Sequence, residues 1–425
     1  MRVAVIGAGW AGCAAAVEAT RLGQQVTLLE AARIPGGRAR RIDGQWHDGS
    51  ALPLDNGQHI LIGAYSETLR LMADLGLDAS TLLLRMPLRL QFPDGSGLLF
   101  PSLPAPLDAF AGILRARGWS WRDKTSLLLA ATRWQLSGFR CAPELSVAQL
   151  CRKLTPGVMA TLIEPLCVAA LNTPAGRASG QVFLRVLRDA LFSQSGGSNL
   201  LLPRTDLSAL LPNAALAWLA QRGADVRLGT RVLTLAPAGA GWQVDGETFE
   251  RVILACPPGE AARLVLNTGL PCEAWAAQAN GLRFEAITTV YVSSAGSRLA
   301  QPMLALHASA PEGDAPAQFV FDRGQLGGPD GLLAFVVSAS QGDSAALTQR
   351  VLAQARQQLG LTQAIAVQTI VEKRATFACL PGLLRPGAQL LPGLLACGDY
   401  VDGPYPATLE GAVRSGSQAA RIAIK

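Results

Sequence analysis

Gly7, Gly9 and Gly12 follow the apolar run at residues 3–6 in the pattern G-x-G-x-x-G, and Glu30 comes 18 residues after Gly12. Gly7 permits a tight turn, Gly9 lets a pyrophosphate approach the backbone, and Gly12 allows close helix–strand packing. The helix that follows points the positive end of its dipole at the phosphates. Glu30 is spaced to accept hydrogen bonds from adenosine ribose hydroxyls, which argues against the 2′-phosphate of NADP and leaves FAD and NAD. Gly36-Gly37-Arg38 offers more backbone amides and a guanidinium to phosphate, although an ordinary turn at Pro35-Gly36 would look the same. Near the other end, an apolar run at 394–397 delivers Gly398-Asp399 to a loop before a helix expected at 408–420. Asp399 can accept from ribityl hydroxyls, and the helix start at Thr408 and Leu409 can stabilise negative charge on a flavin N1–C2=O edge. FAD suits that pair of features better than NAD.

Other chemistries find little support. His47, His59 and His307 are the only histidines and share no helical turn, so no imidazole-rich metal site is expected. The eight cysteines form no C-x-x-C pair and read as reduced core thiols, in keeping with a cytosolic protein. No second G-x-G-x-x-G follows a later strand, so electrons are expected from an external donor, and no G-x-S-x-G elbow suggests a hydrolase. The net charge of +6 is scattered without a run of five, which does not indicate nucleic acid. No signal peptide is visible, and no apolar stretch reaches the roughly 18 residues of a spanning helix, so membrane contact would be peripheral.

The elements positioning these residues predict an α/β protein with a discontinuous nucleotide domain, because its first βαβ unit and its Gly398-Asp399 strand lie at opposite ends of the chain. A helix at 14–22 and a strand at 25–29 complete the first unit. Further on, a helix at 206–222, strands at 225–228 and 231–235, a hairpin at Asp245-Gly246 and a strand at 251–256 are expected to rejoin it. We assign 1–85, 195–285 and 385–425 to a Rossmann-type FAD-binding domain, and 86–194 and 286–384 to a substrate domain of mixed sheet plus helices. The latter begins with a hairpin around 93–95 and continues as apolar helices to about 193. Its strands are expected at 287–292, 318–321 and 332–337, with a helix at 345–359 and a surface loop at 310–316. Leu107, Phe110, Ala111 and Leu114 share a helical face near Trp119, Trp121, Trp134 and several arginines. Core packing is the expected role of that stripe; membrane docking and lining of a lipid tunnel are the alternatives.

The combined G-x-G-x-x-G…E, G-G-R and C-terminal G-D motifs resemble the FAD-dependent amine oxidase and phytoene desaturase superfamily. Residues 398–416 resemble its carotenoid-desaturase branch. Closer still, 54–59 (LDNGQH), 164–174 (EPL…ALNTP) and 181–187 (QVFLRVL) resemble the squalene-associated FAD enzymes of bacterial hopanoid synthesis, the hydroxysqualene dehydroxylases. The resemblance runs nearly end to end, with little that is diagnostic at about 295–365.

That resemblance implies FAD, a hydrophobic isoprenoid substrate and reductive loss of an allylic hydroxyl. Such chemistry needs a proton donor, an apolar channel and little water. Candidate donors are Asp402 and Tyr405, in the loop after Asp399, and His59. Each has a plainer role available: a turn cap for Asp402, a tunnel wall for Tyr405, an oriented structural histidine for His59. Gly57, between Asp55 and His59, would let the backbone approach the flavin ring. Val232 would contact adenine through its backbone or simply face the core. Glu410 is expected to stabilise its helix end. A carotenoid-type desaturase is the runner-up, followed by an amine oxidase and a non-catalytic isoprenoid carrier.

Overall fold

The structure, a computed structural model, describes residues 1–104, 106–192, 195–309 and 313–424. Six strands gathered from the two ends and the middle of the chain make the first sheet, in the order Asp225–Leu228, Gln25–Glu30, Arg2–Ile6, Arg251–Leu254, Leu394–Ala396, Gln389–Leu391. The first five are mutually parallel and the sixth is antiparallel to its neighbour. Val3, Val5, Leu28, Val252 and Ile253 are fully buried, as strands covered on both faces must be. The helix Trp10–Arg21 has an almost uninterrupted run of small residues, which brings it against the last helix, Leu409–Ala423. A methyl group at Gly416 would lie 2.1 Å from the Ala11 carbonyl oxygen, so this crossing tolerates only glycine.

Two expectations in this half are corrected. The helix anticipated at 206–222 is broken into Leu207–Leu210 and Pro212–Gln221. Pro212 has no N–H to give and drives Leu211 out of helical geometry, to φ −153°. The strand anticipated at 231–235 begins only at Leu235, because side chains take the backbone groups that a neighbouring strand would have taken. The Asp245 carboxylate accepts from the Leu233 and Thr234 N–H groups at 3.0 and 2.7 Å, and Arg263 donates to the Val232 and Leu233 carbonyls at 3.1 and 3.2 Å. The expected hairpin is present: Asp245 and Gly246 both have positive φ and join Gly241–Val244 to Glu247–Phe249.

The second sheet orders Met303–Ala305, Phe319–Asp322, Leu332–Ser338, Phe284–Ser293 and Ile365–Phe377. All its described pairings are antiparallel, where a mixed sheet was expected, since no βαβ crossover connects neighbouring strands. Helix Ser344–Leu359, capped by Asp343 and ended at Gly360, packs Leu347, Val351 and Ala355 on Val290, Val292 and Phe335 of one face. The opposite face contributes Tyr291, Phe319, Phe321 and Phe377 to a core shared with Ile6 and Leu54 of the first half.

The hairpin around 93–95 pairs Arg89–Gln91 with Gly97–Leu99, and helices Leu107–Arg115, Trp121–Leu136, Glu164–Leu171 and Gly180–Phe192 follow. The apolar stripe on the first of these is not core: Leu107 and Phe110 are 58% and 51% exposed. Trp119 and Trp134 are buried while Trp121 is 72% exposed, so the three tryptophans divide between interior and surface. Of the loop expected at 310–316, residues 310–312 lie outside the described residues.

Candidate active site

The first turn is built around Gly7, whose φ of +112° suits glycine and whose missing side chain leaves room for the Ala255 carbonyl oxygen, 2.7 Å from where a Cβ would stand. Gly9 is different. Its φ is −71°, it starts helix Trp10–Arg21 with no side-chain cap, and a Cβ there would meet nothing nearer than the Gly37 Cα at 4.0 Å. The open space above this helix start therefore leaves its N–H groups for an anion. Gly36 donates to the Ala8 carbonyl at 2.8 Å and is bridged to Gly9, which places Gly36-Gly37 on the same turn. Gly12 permits the helix to leave: a methyl there would lie 1.8 Å from the Gly7 oxygen.

Glu30 ends its strand with one carboxylate oxygen 2.6 Å from the Ala8 N–H and the other 2.8 Å from the Ala32 N–H. Gly229 and Thr230 donate to the Ala32 and Glu30 carbonyls, so the segment leading to Val232 runs beside this acid. Among the described residues none accepts from the Val232 N–H, while its side chain is buried.

Arg38 and Asp399, 361 positions apart, form an ion pair through Nη2 and Oδ1. Burial opposes the Arg38 charge, but Asp399 outweighs it and raises the guanidinium pKa. Gly398 donates to Ser415 Oγ at 3.1 Å, and Thr408 caps the last helix by accepting from the Gly411 N–H at 3.0 Å, so the helix proper begins at Leu409. Beneath this pair, Asn56 accepts from the Arg40 N–H and donates to the Arg38 carbonyl, both at 3.0 Å, and reaches Glu372 at 3.2 Å. Among the described residues the buried Tyr400 hydroxyl has no hydrogen-bond partner, and Cys256, Cys397, Asp399 and Arg38 act on it electrostatically. An unpaired polar atom at this place fits a polar ligand.

The three candidate proton donors have unlike surroundings. His59 Nδ1 lies 3.2 Å from the Gly57 carbonyl; burial, helped by the Arg38 charge, lowers its pKa, so at neutral pH the ring is uncharged. Tyr405 is half-buried, hydrogen-bonded to Asp189 of helix Gly180–Phe192, edge-on to Tyr65 at 6.0 Å and beneath the Arg414 guanidinium. Burial and the Asp189 charge push its pKa up to about 12, so it keeps its proton. Asp402 is 71% exposed and paired with Arg385 at 3.1 Å.

Glu410 is fully buried and accepts from the Glu67 N–H, the Thr68 N–H and hydroxyl, and Arg414, so it caps helix Ser66–Asp74 as well as bracing its own. In the sequence Asp55 stands out only as a neighbour of Gly57, yet burial raises its pKa to about 6 against the opposing Leu207 N–H. Tyr291 bonds the Asp55 backbone and Gln58, while Glu372 comes from a strand with no recognisable motif and Asp189 follows the QVFLRVL segment by two residues with no role assigned to it in the sequence. Beyond that segment, only its spacing of four from Arg185 marks Asp189. Among the described residues no group of three or more His, Cys, Asp or Glu could hold a metal ion.

A largely parallel sheet with a glycine turn, an acid on the second strand and a returning Gly-Asp strand defines a dinucleotide-type cofactor domain, accompanied by an antiparallel five-stranded sheet. Residues 10–424 match the family of flavin containing amine oxidoreductases, and the chain belongs to it. It is an FAD-dependent oxidoreductase. The chain is 30% identical to hydroxysqualene dehydroxylase of Rhodopseudomonas palustris over 99% of its own length and 98% of that protein. It is also 41% identical to zeta-carotene desaturase of a Synechocystis strain, but over only 18% of this chain and 15% of that one. Among solved structures, an oxidoreductase from Methanosarcina mazei superposes with a TM-score of 0.71 at 15% identity, covering 99% of this chain and all of that one, a likeness of fold.

Proposed function

We propose that this enzyme reductively removes the hydroxyl of hydroxysqualene to give squalene. The observation that carries the reading is the end-to-end likeness to a hydroxysqualene dehydroxylase, unlike the local likeness to a desaturase. In the reaction one C–O bond breaks, a proton joins the departing hydroxyl to form water, and the carbon gains a hydride. FAD, reduced by an external donor, supplies that hydride when bound.

In this reading the FAD-binding part spans 1–85, 195–285 and 385–425. Gly9, Gly36 and Gly37 take the pyrophosphate on a turn shaped by Gly7 and Gly12, Glu30 takes the ribose, and the Val232 backbone the adenine. Arg38, Gly57, Gly398, Asp399, Thr408 and Leu409 face the ribityl chain and ring. The apolar inward face of the second sheet keeps water from a developing cation. Of the three candidate donors, Tyr405 fits best: it is protonated at neutral pH, half-buried and held by Asp189, and although its raised pKa makes it a weak acid, the departing oxygen becomes more basic than the phenolate as the C–O bond breaks. His59 comes next, and Asp402 fits least because the water around it would quench the cation. A substrate this apolar also gives the enzyme reason to touch a membrane surface. The second reading, oxidation of an isoprenoid polyene, draws on the desaturase likeness and uses the same contacts.

The test is anaerobic reduction of the bound flavin with dithionite, followed by addition of hydroxysqualene. Flavin reoxidation with one squalene per flavin by mass spectrometry is expected. A flavin that stays reduced, in an enzyme whose oxidised form bleaches with phytoene, would establish desaturation instead.

A further inference from the structure

Of the sixteen large apolar side chains exposed among the described residues, seven fall between Leu99 and Leu136. On helix Trp121–Leu136 they are aligned: Trp121, Leu129 and Leu136, at 72%, 58% and 83% exposure, share one stripe with Thr125 and Thr132. Both threonine hydroxyls are already bonded to carbonyls of their own helix, at 2.9 Å from Trp121 O and Leu128 O, so the stripe offers methyl groups rather than polar atoms. Lys124 donates to the Leu114 carbonyl at 2.8 Å while lying over the Trp121 ring, and so joins this stripe to the helix that exposes Leu107 and Phe110.

Charge is concentrated at the same place. Residues 107–140 hold six basic and two acidic residues, a net +4 of the chain's +6. Asp108 is buried and Asp123 is occupied in a capping box with Ser120. Arg115, Arg117, Arg122 and Arg133 are exposed and have no ion-pair partner among the described residues, so four uncompensated guanidinium groups lie within 19 residues of chain. No described helix is long and apolar enough to cross a membrane.

We propose that these two helices form a face that docks on an anionic lipid bilayer. Trp121, Leu129, Leu136, Leu107 and Phe110 enter the boundary between headgroups and acyl chains, and the unpaired arginines meet lipid phosphates. The proposal deepens the preceding reading by giving its water-insoluble substrate a place to enter from, but binding itself needs only this surface.

The test is sedimentation of the full-length holoenzyme with vesicles of phosphatidylglycerol and phosphatidylethanolamine, compared with phosphatidylcholine alone. Strong binding to the anionic vesicles and weak binding to the neutral ones is expected. Arg122→Ser with Arg133→Ser should weaken binding roughly 25-fold, about fivefold per charge, and Trp121→Ser with Leu136→Ser at least about tenfold. Both variants should keep their flavin absorbance and their turnover of detergent-dispersed substrate. Failure of the wild type to sediment with any vesicle, or wild-type binding by both variants, overturns the proposal. So does a dimer in sedimentation equilibrium that the Trp121/Leu136 variant dissociates, because a second copy then covers the face. Vesicle binding without turnover of hydroxysqualene would refute the assigned reaction and leave the docking face standing.

Discussion

Gly9→Val separates cofactor exclusion from misfolding. The backbone at Gly9 already has a φ that any residue adopts, and its Cβ position is bounded only by Gly37 at 4.0 Å. The new Cβ therefore meets no protein atom closely; the cost is that of a poorer helix start, about 1 kcal/mol and no more than about 3 °C in Tm. The same isopropyl group fills the approach to the free N–H groups of helix Trp10–Arg21. Loss of two charge-assisted hydrogen bonds at about 1.5–3 kcal/mol each raises the Kd for FAD at least about 100-fold. Gly12→Ala is the control, because its methyl would stand 1.8 Å from the Gly7 oxygen and the turn itself must give way. Melting of the apo forms and titration with FAD, followed by flavin fluorescence, read the two effects apart. Gly9→Val should melt like the wild-type apoprotein and stay colourless, while Gly12→Ala should lose both properties. A yellow Gly9→Val with a Kd within threefold of wild type would refute the pyrophosphate assignment, and one that fails to fold would refute the open-space argument.

Asp399→Ala and Glu410→Ala should move different observables. The first removes a charged acceptor from the ribityl chain, a hydrogen bond of about 2 kcal/mol, so the FAD Kd should rise about 30-fold; an unchanged Kd would remove Asp399 from the site. The second leaves the Glu67 and Thr68 N–H groups and Arg414 without their buried acceptor and should cost about 3–5 kcal/mol of stability in denaturant melts, with little change in FAD affinity of the folded fraction. Asp55, with a pKa raised by burial to about 6 against about 3.9 when unfolded, binds a proton in the native state between those values. Stability should fall as pH rises from 4 to 7. Asp55→Asn keeps an acceptor for Leu207 and should gain about 3 kcal/mol relative to wild type over that range; a gap that does not change with pH contradicts the assignment. Tyr405→Phe should slow reoxidation of reduced flavin by hydroxysqualene about 100-fold with FAD binding intact, and a slowing of less than threefold would reduce Tyr405 to a wall residue.

What could be read from the sequence followed the range of the interactions involved. The glycine turn, Glu30 and the Asp245-Gly246 hairpin are local devices, in which residue type and spacing already determine the backbone, and they stand where their spacing placed them. The break at Leu211 was also local and could have been foreseen from Pro212. The irregular stretch before Leu235 could not, since it depends on Asp245 and Arg263 arriving from later in the chain to satisfy its backbone. The site shows the same division. Arg38 and Asp399 were each recognisable from a neighbouring glycine, but their pairing across 361 positions was not. Asp189 follows the recognisable QVFLRVL segment, but its meeting with Tyr405 depends on helix Gly180–Phe192 lying against the returning loop. Cofactor contacts are largely backbone geometry and leave a spacing pattern behind. Proton donors depend on burial and neighbouring charge, which arise only when distant segments meet; that is why Tyr405, His59 and Asp402, alike as candidates in the sequence, stand in three such different environments.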